Sequence, residues 1–221
     1  TFVYFPCIPI SHSKDLIHWN VIGYAITESE WAVELENLHG GMGYWAPDIS
    51  YCDGRFYITA TLRRNDDMRP KRLQMVTSSE KPEGPYEKPV FLDEDGIDPS
   101  IFHDDDGRKY IVSLEWETRE GYEKPGVISM SEYNPVKKEI IGYPKRIWRG
   151  GTNRGCIEAP HLYKKNGYYY IMCAEGGTGY NHCVTMGRSR NIWGPYEKDP
   201  NGPVVTSNPV ETNERNNIDH L

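Results

Sequence analysis

The segment EAPHLYKKNGYYYIMCA at 158–174 joins a glutamate-led, proline-containing entrance to an Asn-Gly pair and then to an aromatic, apolar run. The same arrangement occurs twice upstream, as WAPDISYCDGRFYITA at 45–60 and DPSIFHDDDGRKYIVSL at 98–114. Asn-Gly or Asp-Gly between apolar-alternating runs signals a β-hairpin, because both central residues of its tight turn need positive φ. Each segment therefore reads as one hairpin, turning at Asp53-Gly54, Asp106-Gly107 and Asn166-Gly167. Trp45, Asp98 and Glu158 each stand eight residues ahead of the turn, which assigns three residues of different chemistry to one position of a repeated unit.

A second phrase follows two of the hairpins: KPEGPYEKPVF at 81–91 and NIWGPYEKDPN at 191–201. The stretch SKDLIHWNVIGYAI at 13–26 carries the same ending for a further unit. A hairpin, a strand rich in Ser or Thr and an outer strand give about four strands per unit, repeating every 50 to 60 residues. Units of that kind arranged around an axis make a β-propeller. The fold class is all-β, with about four blades represented, in a single domain over 1–221 that reads as truncated at both ends.

Composition narrows the partners. The net charge of −7 argues against nucleic acid and anionic membrane surfaces. No apolar run reaches the ~18 residues of a membrane span. Five cysteines are scattered without a CxxC pair, so they read as reduced thiols and not as a zinc site or disulfide framework. This favours a cytoplasmic location, with secretion or the periplasm as the alternative. The oligomeric state is left open.

In a propeller the inner strands of successive blades converge, so Trp45, Asp98 and Glu158 are expected to face one another. Two carboxylates in an aromatic-walled pocket suit glycoside hydrolysis, in which one carboxyl must hold its proton for the leaving oxygen. Glu158 is the better acid, because Ile157, Ala159 and Pro160 would desolvate it, and Asp98 can supply the neighbouring anion that also raises a carboxyl pKa. Trp45 offers a ring for the C–H face of a sugar. Other residues are read as structural: Asp48 as a turn or inter-blade contact, His161 and His182 as core or rim histidines, the Asp run at 104–106 as a solvated turn, and 63–72 as an exposed loop.

The phrases TFVYFPCIPISHSKDLIHWNVIGYAI (1–26), YWAPDI (44–49), GIDPSIF (96–102), IEAPHLY (157–163) and AEGGTGYNH (174–182) resemble glycoside hydrolase family 43, over essentially the whole chain. The β-xylosidase and α-L-arabinofuranosidase branches are the most similar. The resemblance implies a five-bladed propeller and an inverting hydrolysis that releases xylose or arabinose from xylan-type or arabinose-containing oligosaccharides. It implies Glu158 as general acid and Asp98 as the residue that tunes and orients it. Trp45 and Phe2 become aromatic walls of the terminal-sugar subsite, with Thr178 at its rim. The family's general base is an aspartate upstream of the phrase that opens at Thr1, so it is expected outside this sequence, and the segment alone is expected to be weakly active or inactive. No cofactor is required. A central calcium belongs to the complete family fold, but its Gly-His motif finds no match here and His220 is no substitute. Cys7 stands where the family usually has glycine. A non-catalytic carbohydrate-binding propeller and a retaining, invertase-like glycosidase are the competing readings.

Overall fold

A computed structural model describes residues 2–94, 96–116 and 126–208. Among these residues the chain is built from β-strands and two short 3-10 turns, Ser29–Trp31 and Val33–Leu35. It divides into two compact units, Thr1–Pro99 and Ser100–Leu221.

The first unit opens with a two-stranded sheet of β1 (Cys7–His12) and β2 (Asn20–Ile26). An antiparallel meander follows: β3 (Gly43–Cys52), β4 (Arg55–Arg63), β5 (Arg72–Ser79) and β6 (Val90–Glu94). Strand β7 (Ile97–His103) crosses into the second unit, where β8 (Lys109–Glu115), β9 (Val127–Asn134) and β10 (Glu139–Trp148) complete a four-stranded sheet. The last sheet holds β11 (Glu158–Lys165), β12 (Tyr168–Glu175), β13 (Cys183–Ser189), β14 (Glu197–Lys198) and β15 (Val205–Thr206), both of the last two pairing with β13.

The second strands β4 and β8 are the most buried of their sheets, as expected of strands with neighbours on both edges and both faces. In β4 every residue from Tyr57 to Arg63 is buried. It packs Ile58, Ala60 and Leu62 with Cys7, Ile8, Ile10, Ile26, Tyr44 and Met75 in the core of the first unit. In the second unit Tyr110, Val112 and Leu114 of β8 and Ile171 and Cys173 of β12 are similarly enclosed.

Two of the three expected tight turns form as the sequence predicts. Asp53 and Gly54 have φ of 50° and 78°, and Asn166 and Gly167 have 52° and 73°. The third differs. The β7–β8 loop runs from Asp104 to Arg108, closed by the Asp104 and Arg108 backbone, and only Gly107 has positive φ there. Its length follows from Asp104, whose carboxylate is buried and takes a 2.7 Å hydrogen bond from Tyr169 together with the Lys164 ammonium. The Asp run is thus not simply a solvated turn.

The longer loop also changes the register. The residue before proline is left-handed in each of the three first strands: Ala46 (φ 42°), Asp98 (56°) and Ala159 (50°). By this measure Asp98 is equivalent to Ala46 and Ala159, one residue beyond the position shared by Trp45 and Glu158.

The second repeated phrase has a common structure. The hydroxyls of Ser13, Ser79 and Ser189 accept from the amides of Asp15, Lys81 and Asn191, each two residues on. Next, Trp19, Tyr86 and Tyr196 donate to the carbonyls of Leu16, Pro82 and Ile192. By this repeat β1 and β2 are the counterparts of β5–β6 and β13–β14, the third and fourth strands of a unit.

Candidate active site

In the first unit Trp45 lies in β3 opposite Thr61 of β4, just before a bulge that precedes Asp48. Its indole N–H donates to the Gly41 carbonyl at 2.7 Å, and the Arg63 guanidinium lies 5.8 Å from the ring centroid. Phe2 forms a bridge with Tyr44, exchanging backbone hydrogen bonds of 3.0 and 3.1 Å, so it sits one residue from Trp45 and stays 46% exposed. Gly43 permits this approach: a Cβ there would lie 2.2 Å from the Phe2 carbonyl oxygen. Asp98 reaches the same place from β7, its amide donating to the Thr61 hydroxyl at 3.0 Å. Trp45 and the Asp98 backbone thus meet at Thr61, and Phe2 lies against Tyr44, the residue before Trp45.

In the second unit Glu158 begins β11, opposite Ala174, and a bulge separates it from His161. Ile157 is 2% exposed and Pro160 is buried, while Glu158 itself is half-buried. The Ser100 hydroxyl holds the Pro160 carbonyl at 2.6 Å. Burial pushes the Glu158 carboxyl above the usual range, and the nearby charge of His182 pulls it partly back.

Facing this strand is the loop 176–182, which carries Thr178 in an exposed position. The Gly176 amide donates to the Gly155 carbonyl at 2.7 Å, three residues before Glu158. Within the loop the His182 amide donates to Gly179, and its ring Nδ1 lies 2.7 Å from the Gly177 carbonyl. A carbonyl only accepts, so Nδ1 carries the hydrogen. Arg154 secures the outer side through the Asn181 and Asn208 carbonyls, at 2.8 and 2.9 Å.

Several residues depart from their sequence assignments. Asp48 lies inside β3 opposite Thr59, so of its two readings, turn or inter-blade contact, the turn does not hold. The segment 63–72 is exposed at Asp66, Asp67 and Arg69 but anchored at its start: Arg63 and Asn65 are buried, Arg64 pairs with Glu34, and the Asn65 amide group takes the His39 amide and gives to the Asn37 carbonyl. His182 lies on the rim, where its charged form would oppose the rise that burial gives Glu158. Unnoticed in the sequence was Glu175, only 1% exposed. It accepts from the amides of Gly151 (2.6 Å) and Thr152 (3.0 Å) and from the hydroxyls of Thr152 and Thr185. Burial pushes its carboxyl up and these donors oppose it. Its one sequence mark is its place at the end of an apolar strand, before two glycines. No group of three or more His, Cys, Asp or Glu among the described residues is arranged to hold a metal. His220 lies outside those residues.

Residues 1–220 match the family model "Glycosyl hydrolases family 43". The xylosidase/arabinosidase 43B of Humicola insolens is 38% identical over 208 residues, which are 94% of this chain and 38% of that protein. The β-xylosidase of Bacillus subtilis is 39% identical over 94% of this chain and 39% of its own length. Among solved structures, the xylan β-1,4-xylosidase of Bacillus halodurans superposes with a TM-score of 0.86 at 41% identity, covering 94% of this chain and 40% of that one. The chain thus spans about two fifths of the length of these relatives.

Proposed function

The chain belongs to glycosyl hydrolase family 43, whose five-bladed propeller its sheets represent in part, and from that premise we propose that the protein containing it is an inverting glycosidase. Its substrates are xylan-type or arabinose-containing oligosaccharides, from which it releases xylose or arabinose. Relatives named as β-xylosidases, as a xylosidase/arabinosidase and as a non-reducing end α-L-arabinofuranosidase of Bacteroides ovatus support both sugars.

The observation that carries the reading is the state of Glu158. Burial raises the Glu158 carboxyl between the buried Ile157 and Pro160, which is the direction a general acid to a glycosidic oxygen requires. Glu158 donates that proton as the C–O bond breaks, and Asp98 contributes the negative charge that helps retain it beforehand. Trp45 and Phe2 form the apolar wall for the terminal sugar, and Thr178 lies at its rim. A further carboxylate, roughly 6.5–9.5 Å from the acid, activates the attacking water in an inverting reaction. A cytoplasmic location accompanies this reading.

Glu158→Gln in the full-length protein tests it. Loss of the acid should lower kcat/KM on xylobiose by ~10²–10⁴-fold. An aryl xyloside with a nitrophenolate leaving group, which departs without a proton, should suffer far less. Equal losses on both substrates, or near-normal turnover of xylobiose, would refute the assignment. Sugar binding without hydrolysis by the unaltered full-length protein would instead identify a binding module.

A further inference from the structure

Two buried threonines of β4 hold the Asp98–Pro99 step. The Thr61 hydroxyl accepts from the Asp98 amide at 3.0 Å, and the Thr59 hydroxyl donates to the Pro99 carbonyl at 2.6 Å. Both threonines are 0% exposed. A third side chain fixes the orientation of the first: Thr61 donates to the Gln74 amide oxygen at 3.2 Å, and Gln74 is itself 1% exposed. Because Thr61 spends its proton on Gln74, its lone pairs are left for the Asp98 amide. Thr61 and Gln74 are also direct cross-strand partners, in the same row as Trp45.

The grip acts on a backbone that resists its own conformation. Asp98 has φ of 56° and precedes a proline. A left-handed L-residue is costly, and proline crowds the residue before it. Such strain persists only where surrounding contacts over-determine it. Here those contacts are hydrogen bonds to both ends of the strained step, from two buried side chains of one strand.

We propose that Thr61, oriented by Gln74 and assisted by Thr59, is a positioning residue that aims the Asp98 carboxylate. The inference rests on the reading of Asp98 as the anion that helps Glu158 retain its proton. Through the row Trp45–Thr61–Gln74 the same hydroxyl ties the aim of the carboxylate to the strand that carries the aromatic wall.

The test uses the full-length protein and the pH profile of kcat/KM on xylobiose, with thermal stability measured alongside. Thr61→Val keeps the shape and removes the hydroxyl. The alkaline limb, where the acid loses its proton, should move to lower pH, with a loss on the order of 10-fold at neutral pH; a 1 Å misplacement bounds it at about 10²-fold. Thr61→Ser should restore the limb. Asp98→Asn should move the limb the same way, and Thr61→Val added to it should move it no further. If Thr61→Val does not fold, Gln74→Met replaces it, with a smaller shift in the same direction expected. An unmoved limb in the folded Thr61 or Gln74 variant, or failure of Thr61→Ser to restore it, overturns the proposal. If Asp98→Asn itself leaves the limb unmoved, the role of Asp98 falls and the clamp falls with it. If only the threonine variant is silent, the role of Asp98 stands and the clamp alone is lost.

Discussion

At the scale of single residues, Glu158 was legible because its neighbours are local in sequence: Ile157 and Pro160 are buried on either side of it. His182 was not, because its influence depends on how the 176–182 loop folds back to Gly155, and no sequence spacing encodes that contact. The two neighbours work in opposite directions on one proton. Burial favours the neutral carboxyl, whereas a protonated imidazole favours the carboxylate. Replacing His182 with Gln removes only the second influence, so Glu158 should hold its proton to higher pH. The alkaline limb of kcat/KM on xylobiose should move upward, opposite to the shift expected for Asp98→Asn. A limb that stays in place or moves downward would show that His182 does not act on the acid. Asp98 also has a conformational claim on its position, since Asp and Asn tolerate left-handed backbone better than other side-chain-bearing residues. Asp98→Asn keeps that tolerance and should change unfolding free energy by no more than ~0.5 kcal/mol. A larger loss would mean that the carboxylate is needed for folding.

Among the elements, the hairpins show what a dipeptide can and cannot specify. Asp53-Gly54 and Asn166-Gly167 form the tight turns their identity favours, whereas Asp106-Gly107 sits in a longer loop. The difference lies in Asp104, where the partners Lys164 and Tyr169 come from another hairpin and outweigh the local turn preference. That one extra stretch of loop also moved Asp98 away from the register inferred by counting back from the turn. Elements can likewise be tied by groups that no motif announces. Glu175 at the end of β12 collects hydrogen bonds from residues 151 and 152 and from Thr185 of β13. Glu175→Gln places an amide N–H₂ against donors and removes charge-assisted bonds, each worth ~1.5–3 kcal/mol when made. The net loss should be about 2–4 kcal/mol, after allowing for the relief of a buried charge. Urea unfolding should show it as a lower midpoint at unchanged m-value. A midpoint within error of the parent would mean that burial costs as much as the four bonds return.

For the whole molecule, the all-β class and the strand order were readable because the chain repeats itself, and repetition survives wherever individual contacts vary. The serine turn after β1, β5 and β13 shows how far this goes: three separated phrases share the same hydrogen bond and a following aromatic-to-carbonyl bond. The repeat makes β1 a third strand. Its counterparts β5 and β13 each have a second strand on one edge and an outer strand on the other. Among the described residues β1 pairs with β2 alone, although Cys7, Ile8 and Ile10 are buried in the same core as β4. A two-stranded sheet is marginal without further pairing, so its packing, not its hydrogen-bond ladder, holds it here. Amide hydrogen exchange distinguishes the two contributions. In the 221-residue chain the β1 amides should exchange on the order of 10-fold or more faster than those of β4, which is enclosed on both edges; that ratio corresponds to an opening free energy ~1.4 kcal/mol lower. In the full-length protein a strand supplied to the open edge of β1 should close that gap. Equal protection of β1 and β4 in the 221-residue chain would remove β1 from the third-strand position that the repeat assigns to it.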